Sequence, residues 1–145
     1  MNSSVNAWLK TMNHQVKKIE AIYSGFASGL DMPESEFWIL YTLSEAEGDR
    51  FQQEISEELS VSRQTIGSAV QGLVRKGYLF LEPSPISARR KNIRMTEKGK
   101  TFVAARIAPL REAEQRAFLR MDALAQRQYV ALSQEYFCAS PIICA

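Results

Sequence analysis

The stretch that decides the fold is Ile55-Ser56-Glu57-Glu58-Leu59-Ser60-Val61-Ser62-Arg63-Gln64-Thr65-Ile66-Gly67-Ser68-Ala69-Val70-Gln71-Gly72-Leu73-Val74-Arg75-Lys76-Gly77. Phe51, Ile55 and Leu59 are four apart and form one apolar stripe, opposed by Gln52, Gln53, Glu54, Glu57 and Glu58, so a short amphipathic helix is expected. Ser60-Val61-Ser62 interrupts the stripe, and Ser62 is placed to accept a hydrogen bond from the free amide of Gln64 or Thr65 at a new helix start. Val61 before that cap and Ile66 four residues after it have the spacing of a hydrophobic staple, which sets the angle between the two helices.

In the second helix Ile66, Ala69, Val70, Leu73 and Val74 share a face, while Gln64, Ser68, Gln71 and Arg75 fall opposite at about 100° per residue. The polar face offers amide, hydroxyl and guanidinium groups, which read base edges in a major groove, and carries no carboxylate to repel phosphate. Gly67 and Gly72 each weaken a helix interior by about 1 kcal/mol relative to alanine; they are either tolerated or allow close approach of backbone to a partner, especially Gly67 near the helix start. Lys76-Gly77 closes the helix with a cation in the last turn and a glycine able to take positive φ.

Beyond it, Tyr78-Leu79-Phe80-Leu81-Glu82 reads as a strand, Pro83-Ser84-Pro85 as a loop and Lys91-Asn92-Ile93-Arg94-Met95 as a half-buried return strand. This is a hairpin with Arg89, Arg90 and Lys91 near its tip, and Thr96 then caps a further helix with Glu97 in its first turn. Two helices joined by a tight turn and followed by a basic hairpin make a winged helix-turn-helix. Charge follows the same map. Residues 60–101 hold nine Lys or Arg against two Glu, net +7; residues 1–59 hold four against ten, net −6; residues 102–145 hold five against four, net +1. The overall +2 conceals a dipolar chain whose positive part coincides with the helix and hairpin, the footprint of a phosphate-binding surface.

The order of elements, the run Ile55 to Gly77 and the ending Arg89-Arg90-Lys91-Asn92-Ile93-Arg94-Met95-Thr96-Glu97-Lys98-Gly99 together resemble the multiple-antibiotic-resistance regulator (MarR) family over about residues 30–120. The family's wing reads, in outline, Asp-x-Arg, five residues, then Leu-Thr-x-x-Gly. Arg89, Met95, Thr96 and Gly99 fit that outline, and Ser87 stands where the Asp is expected. The resemblance implies a mainly α fold with a small β-hairpin wing, the first and last helices of two subunits interlocking into a homodimer. It further implies a repressor released from DNA by a small aromatic or lipophilic effector, and a wing arginine, here Arg89, that enters the minor groove.

Within one MarR-like domain, residues 1–30 and 102–137 are then the dimerisation helices, 31–101 the DNA-binding part and 138–145 a tail. Val5, Leu9, Met12, Val16, Ile19, Tyr23, Phe26 and Leu30 recur at alternating intervals of four and three, a heptad-like seam longer than a lone small domain needs. After Thr96 a long helix should pass Phe102, Val103, Ile107 and Leu110, bent or broken by Pro109. Asp122 is placed to cap a final helix carrying Leu124, Ala125, Tyr129, Leu132 and Tyr136 on one side, with Ser140-Pro141 as its stop.

Ser62, Arg63, Gln64, Thr65, Ser68 and Gln71 are the expected recognition surface: Gln64, Ser68 and Gln71 for base edges, Arg63 for base or phosphate, Ser62 and Thr65 for phosphate as well as capping. Arg89 is joined by Arg90 and Lys91 on the DNA backbone. The resemblance implies an effector pocket between the dimer and DNA-reading parts, which Trp8, Tyr23, Trp38 and Tyr41 are expected to line unless they belong to the core.

Other chemistry has little to stand on. A single His, His14, and two cysteines near the end of the chain, Cys138 and Cys144, give no metal-ligand spacing and no disulfide framework, so no metal or cofactor is expected. No Gly-rich phosphate loop follows a strand and no His partners a nucleophile, which argues against an enzyme. With 46% apolar and 23% charged residues, no basic-then-apolar leader and no long apolar run, the expectation is a cytoplasmic protein with double-stranded DNA as partner and no membrane. The competing reading is a winged-helix protein-interaction module that does not bind DNA; such modules usually lose the basic helix and wing.

Overall fold

The computed structural model of the chain describes residues 2–46, 48–87 and 89–139. Cys144 and the expected stop at Ser140-Pro141 lie outside the described residues, as does most of the 138–145 tail. The chain divides into two compact units, Met1–Arg106 and Ile107–Ala145.

The first unit opens with α1 (Ser3–Gly29), capped by the Asn2 side chain, which accepts a hydrogen bond from the Ser4 N–H at 3.2 Å. Helix α2 (Glu34–Glu45) starts behind Pro33 with Glu34 and Glu36 in its first turn, where negative charge meets the positive end of the helix dipole. Helices α3 (Gln52–Leu59) and α4 (Arg63–Arg75) form the helix-turn-helix. Between them Ser60 takes φ 53°, and the Ser56 hydroxyl donates to the Val61 carbonyl at 2.6 Å, so the tight turn is held by its own side chains. Ser62 caps α4 through Thr65, whose N–H reaches its hydroxyl at 3.2 Å. Past the helix end, Gly77 has φ 79°.

Strands β1 (Leu79–Pro83) and β2 (Lys91–Met95) pair antiparallel with Leu79 opposite Met95 and Pro83 opposite Lys91. The first strand lies one residue later than its composition suggests. Tyr78 is still bound to the helix, its N–H donating to the Leu73 carbonyl at 2.9 Å, and Pro83, which lacks a donor, is tolerated at the strand's last position. Arg50 pairs with β2 on the other side: the Ile93 N–H donates to its carbonyl at 2.8 Å, and its own N–H donates to the buried Asn92 side chain at 2.9 Å. One core joins these pieces, with Phe37, Ile39 and Leu40 of α2, Ile55 of α3, Ile66, Val70 and Leu73 of α4, Leu79 and Ile93 all fully or almost fully buried.

Helix α5 (Glu97–Phe102) begins at Thr96, whose hydroxyl accepts from the Gly99 N–H at 3.0 Å and donates to the Gly77 carbonyl at 2.6 Å. The long helix expected here is interrupted. A π-helical turn spans Val103–Ile107, and α6 (Ala108–Phe118) then starts with Pro109 in its first turn, where its missing N–H costs little. In the second unit α7 (Ala123–Ala139) follows, with the Asp122 carboxylate accepting from the Ala125 N–H at 2.8 Å as the spacing suggested. Phe118 and Tyr129 meet edge to face across this α6–α7 pair, and Leu124, Val130, Leu132 and Phe137 stay exposed. No helix among the described residues is long and apolar enough to cross a membrane.

Candidate nucleic-acid interface

Helix α4 buries Ile66, Ala69, Val70 and Leu73 of its apolar stripe and half-buries Val74, so its opposite face is the one offered outward: Ser62, Arg63, Gln64, Thr65, Ser68, Gln71 and Arg75 are all exposed. The two hydroxyls at its start are already engaged, Ser62 and Thr65 lying 2.8 Å apart with Ser62 also capping the helix. Gln64, Ser68 and Gln71 follow at intervals of four and three and thus share one line along the helix.

The end of α4 carries a link that linear reading did not find. Glu36 of α2 is buried, and its carboxylate accepts from the Lys76 ammonium at 2.5 Å, clamping the C-terminal end of α4. Gly72 faces the same carboxylate, and a Cβ at that position would collide with it. The close approach anticipated for a glycine is therefore intramolecular. Gly67 is different, since a Cβ there would meet only the Gln52 side chain at an ordinary 3.9 Å. Forty residues separate Glu36 from Lys76, so no local pattern could have revealed the pair.

Arg89, Arg90 and Lys91 are exposed on the wing. Ser87, at the position where an aspartate was expected, accepts the Arg89 N–H on its hydroxyl at 3.3 Å and the Arg90 N–H on its carbonyl at 3.2 Å, so it shapes the turn through the backbone. The Arg90 guanidinium lies 4.5 Å from the centre of the buried Phe51 ring, which ties the wing to the start of α3. At the wing's root Arg94 donates to Glu82 at 2.7 Å and to Asp49 at 2.8 Å. The hydrogen bond to Glu82, with the charges of Glu82 and Asp49, pushes the Arg94 pKa above its ordinary value despite some desolvation. Arg94 is thus neutralised locally, and Lys76 and Lys100 are likewise paired, with Glu36 and Glu97.

By contrast, among the described residues no carboxylate pairs with Arg63, Arg89, Arg90 or Lys91. These four cations line one cleft of about 390 Å³ between α4 and the wing, together with Gln71, Phe51, Gln52 and Gln53. The fold brings a helix face and a hairpin 26 residues apart onto a single surface, and leaves uncompensated positive charge there.

Of the four aromatic residues read as an effector pocket, three come together. Tyr23 and Trp38 have ring centres 4.8 Å apart and Trp38 and Tyr41 5.3 Å apart, with Phe37 beneath them. Trp8 is elsewhere, 71% exposed and fifteen residues earlier on α1, about 22 Å along the axis. Trp38 also lines an apolar groove of about 510 Å³ with Leu59, Val61 and Ile66.

Residues 30–90, which run from the end of α1 into the wing, match the MarR family. No curated protein matches the sequence. Among solved structures, a MarR family regulator from Neisseria meningitidis is 23% identical, with 94% of this chain and 92% of that one covered at a TM-score of 0.71. A mutant of the Staphylococcus aureus MepR bound to an oligodeoxyribonucleotide is 20% identical over 93% and 96% of the two chains, with a TM-score of 0.55. The Streptomyces coelicolor regulator PcaV in complex with its natural ligand is 21% identical over 88% and 92%, with a TM-score of 0.60. At these identities the likeness concerns the fold.

Proposed function

We propose that this chain, whose residues 30–90 match the MarR family, is a sequence-specific regulator of transcription that binds double-stranded DNA as a homodimer on a near-palindromic operator. The cleft carries this reading: Arg63 of the recognition helix and Arg89, Arg90 and Lys91 of the wing converge without carboxylate partners beside the polar face of α4. A helix of this width fits the major groove, where Gln64, Ser68 and Gln71 meet base edges, while Arg89 enters the adjacent minor groove and Arg90 and Lys91 contact phosphates. Ser62 and Thr65, engaged in capping, contribute to phosphate contact only from the helix start.

Dimerisation is supported by apolar side chains of α1 and α7 that stay substantially exposed, among them Val16, Ile19, Leu124 and Leu132. A two-fold dimer sets the half-sites about 10 to 10.5 base pairs apart. The aromatic group Tyr23, Trp38 and Tyr41 is the proposed seat of a small aromatic or lipophilic effector, with Trp8 separate from it. An effector that prefers a spacing of recognition helices unlike the DNA-bound one shifts the population away from the operator, with a typical coupling of about 1 to 3 kcal/mol. The regulator is then a repressor released by its ligand.

A mobility shift on random duplex at several salt concentrations tests the DNA reading. With Arg63, Arg89, Arg90 and Lys91 of each subunit displacing counterions, eight cations per dimer, the slope of log affinity against log salt is expected to be about −7. A winged helix that serves only protein contacts would give no shift even at low salt. Selection from a random oligonucleotide pool would then supply the operator, and a symmetric sequence is the expected product.

A further inference from the structure

The wing tip holds a side chain that the cationic cleft does not use. Ile86 is 85% exposed, the most exposed large apolar side chain among the described residues, and it lies three residues before Arg89. Its position is built. Ser84 is buried, its hydroxyl accepts the Ile86 N–H at 3.2 Å and its own N–H donates to the Arg90 carbonyl at 3.0 Å. Pro83 and Pro85 restrict the chain on either side of Ser84. An apolar side chain is thus presented on a braced turn that comes three residues before Arg89 in sequence, with Arg90 and Lys91 following.

We propose that Ile86 is a minor-groove wedge: as the neighbouring cations seat the wing on the phosphates, its side chain enters the groove and pries open a base step. The inference rests on the DNA reading given above. Branched aliphatic side chains act this way on nucleic acid because they bury apolar surface between base edges, and the duplex kinks toward the major groove as the step unstacks. Flexible pyrimidine–purine steps yield most easily, so the wedge adds a preference for TA or CA/TG at positions that no hydrogen bond reads. A lysine or serine at this position would seat the wing without opening the stack.

The test uses the full chain and a duplex selected by it from a random pool, with 2-aminopurine placed at successive positions of the minor groove flanking the central protected region. Binding should raise the fluorescence several-fold at one step in each half-site, and fluorescence energy transfer between the duplex ends should report a bend. Ile86→Ala and Ile86→Ser should abolish both signals and weaken binding about tenfold, Ile86→Leu should keep them, and all three should melt as the parent does, because the side chain packs on little. Loss of affinity with bend and fluorescence unchanged would overturn the wedge in favour of simple surface contact, as would an Ile86→Ala protein that behaves like the parent. Absence of any duplex binding by the parent chain at low salt would overturn both this inference and the function it rests on.

Discussion

Helices α1 and α4 are both amphipathic, yet they solve the same problem in opposite ways. The apolar stripe of α4 is consumed inside its own unit, with Ile66, Val70 and Leu73 fully buried against α2, α3 and the wing root. On α1 only the last turns are covered, where Phe26 and Tyr23 meet Phe37 of α2; Val16 and Ile19, earlier on the same seam, remain 43% and 48% exposed. A stripe satisfied within the subunit frees the opposite face to meet a ligand. A stripe left open makes the apolar face itself the part that seeks a partner.

The sharpest way to break this contrast is to truncate one side chain on each helix. Leu73→Ala should cost about 3 to 4 kcal/mol in denaturant unfolding, because a fully buried leucine leaves a cavity in a packed core. Ile19→Ala, in dilute monomer, should cost under about 0.5 kcal/mol. At concentrations where the chain associates, Ile19→Asp should lower the sedimenting mass toward one subunit and remove the concentration dependence of the melting temperature. Equal unfolding penalties for the two alanine variants at all concentrations would show that the seam is covered within the subunit.

Next in size is the clamp at the end of α4. Alanine at position 72 gains about 1 kcal/mol of helix propensity, but its methyl group meets the buried Glu36 carboxylate, and overpacking of this kind costs about 1 to 3 kcal/mol. Gly72→Ala should therefore destabilise the protein in the parent background and stabilise it by about 1 kcal/mol when Glu36 is also alanine. A gain in both backgrounds would mean that the Glu36–Lys76 pair is not a fixed feature of the fold.

At the proposed DNA face, Arg89→Ala should weaken duplex binding about tenfold and reduce the magnitude of the salt slope by about 2 for a dimer, one cation per subunit. Unchanged affinity and slope would remove the wing from the interface. The smallest effect belongs to the brace between Arg90 and Phe51. A double-mutant cycle with Arg90→Gln and Phe51→Leu should return a coupling of about 0.5 to 1 kcal/mol in stability, the strength of a partly exposed cation–π contact. Zero coupling would indicate that the Arg90–Phe51 contact does not tie the wing to the start of α3.

The elements of this protein were legible wherever the signal was local. Ser62, Thr96 and Asp122 cap the helices that their spacing announced, because a cap is a bond to an amide only a few residues away. The helix and hairpin of the candidate site could be read for the same reason, since periods of 3.6 and 2 are written into consecutive residues. Pro109 shows the limit of that method: it predicted a break, but whether the chain would kink, stop or widen into the π turn at Val103–Ile107 depends on what its neighbours allow.

Sequence by itself determined which segments fold as helix or strand, which of their faces is apolar, and where the positive charge is concentrated. Only the tertiary structure decided that Glu36 would clamp Lys76 and require Gly72, that Arg50 would extend the hairpin through Asn92, that Phe51 would carry Arg90, and that Trp8 would stand apart from Tyr23, Trp38 and Tyr41. Those pairings join residues tens of positions apart. Which of them form is settled by the packing of whole elements around one core, a quantity that no short window of sequence contains.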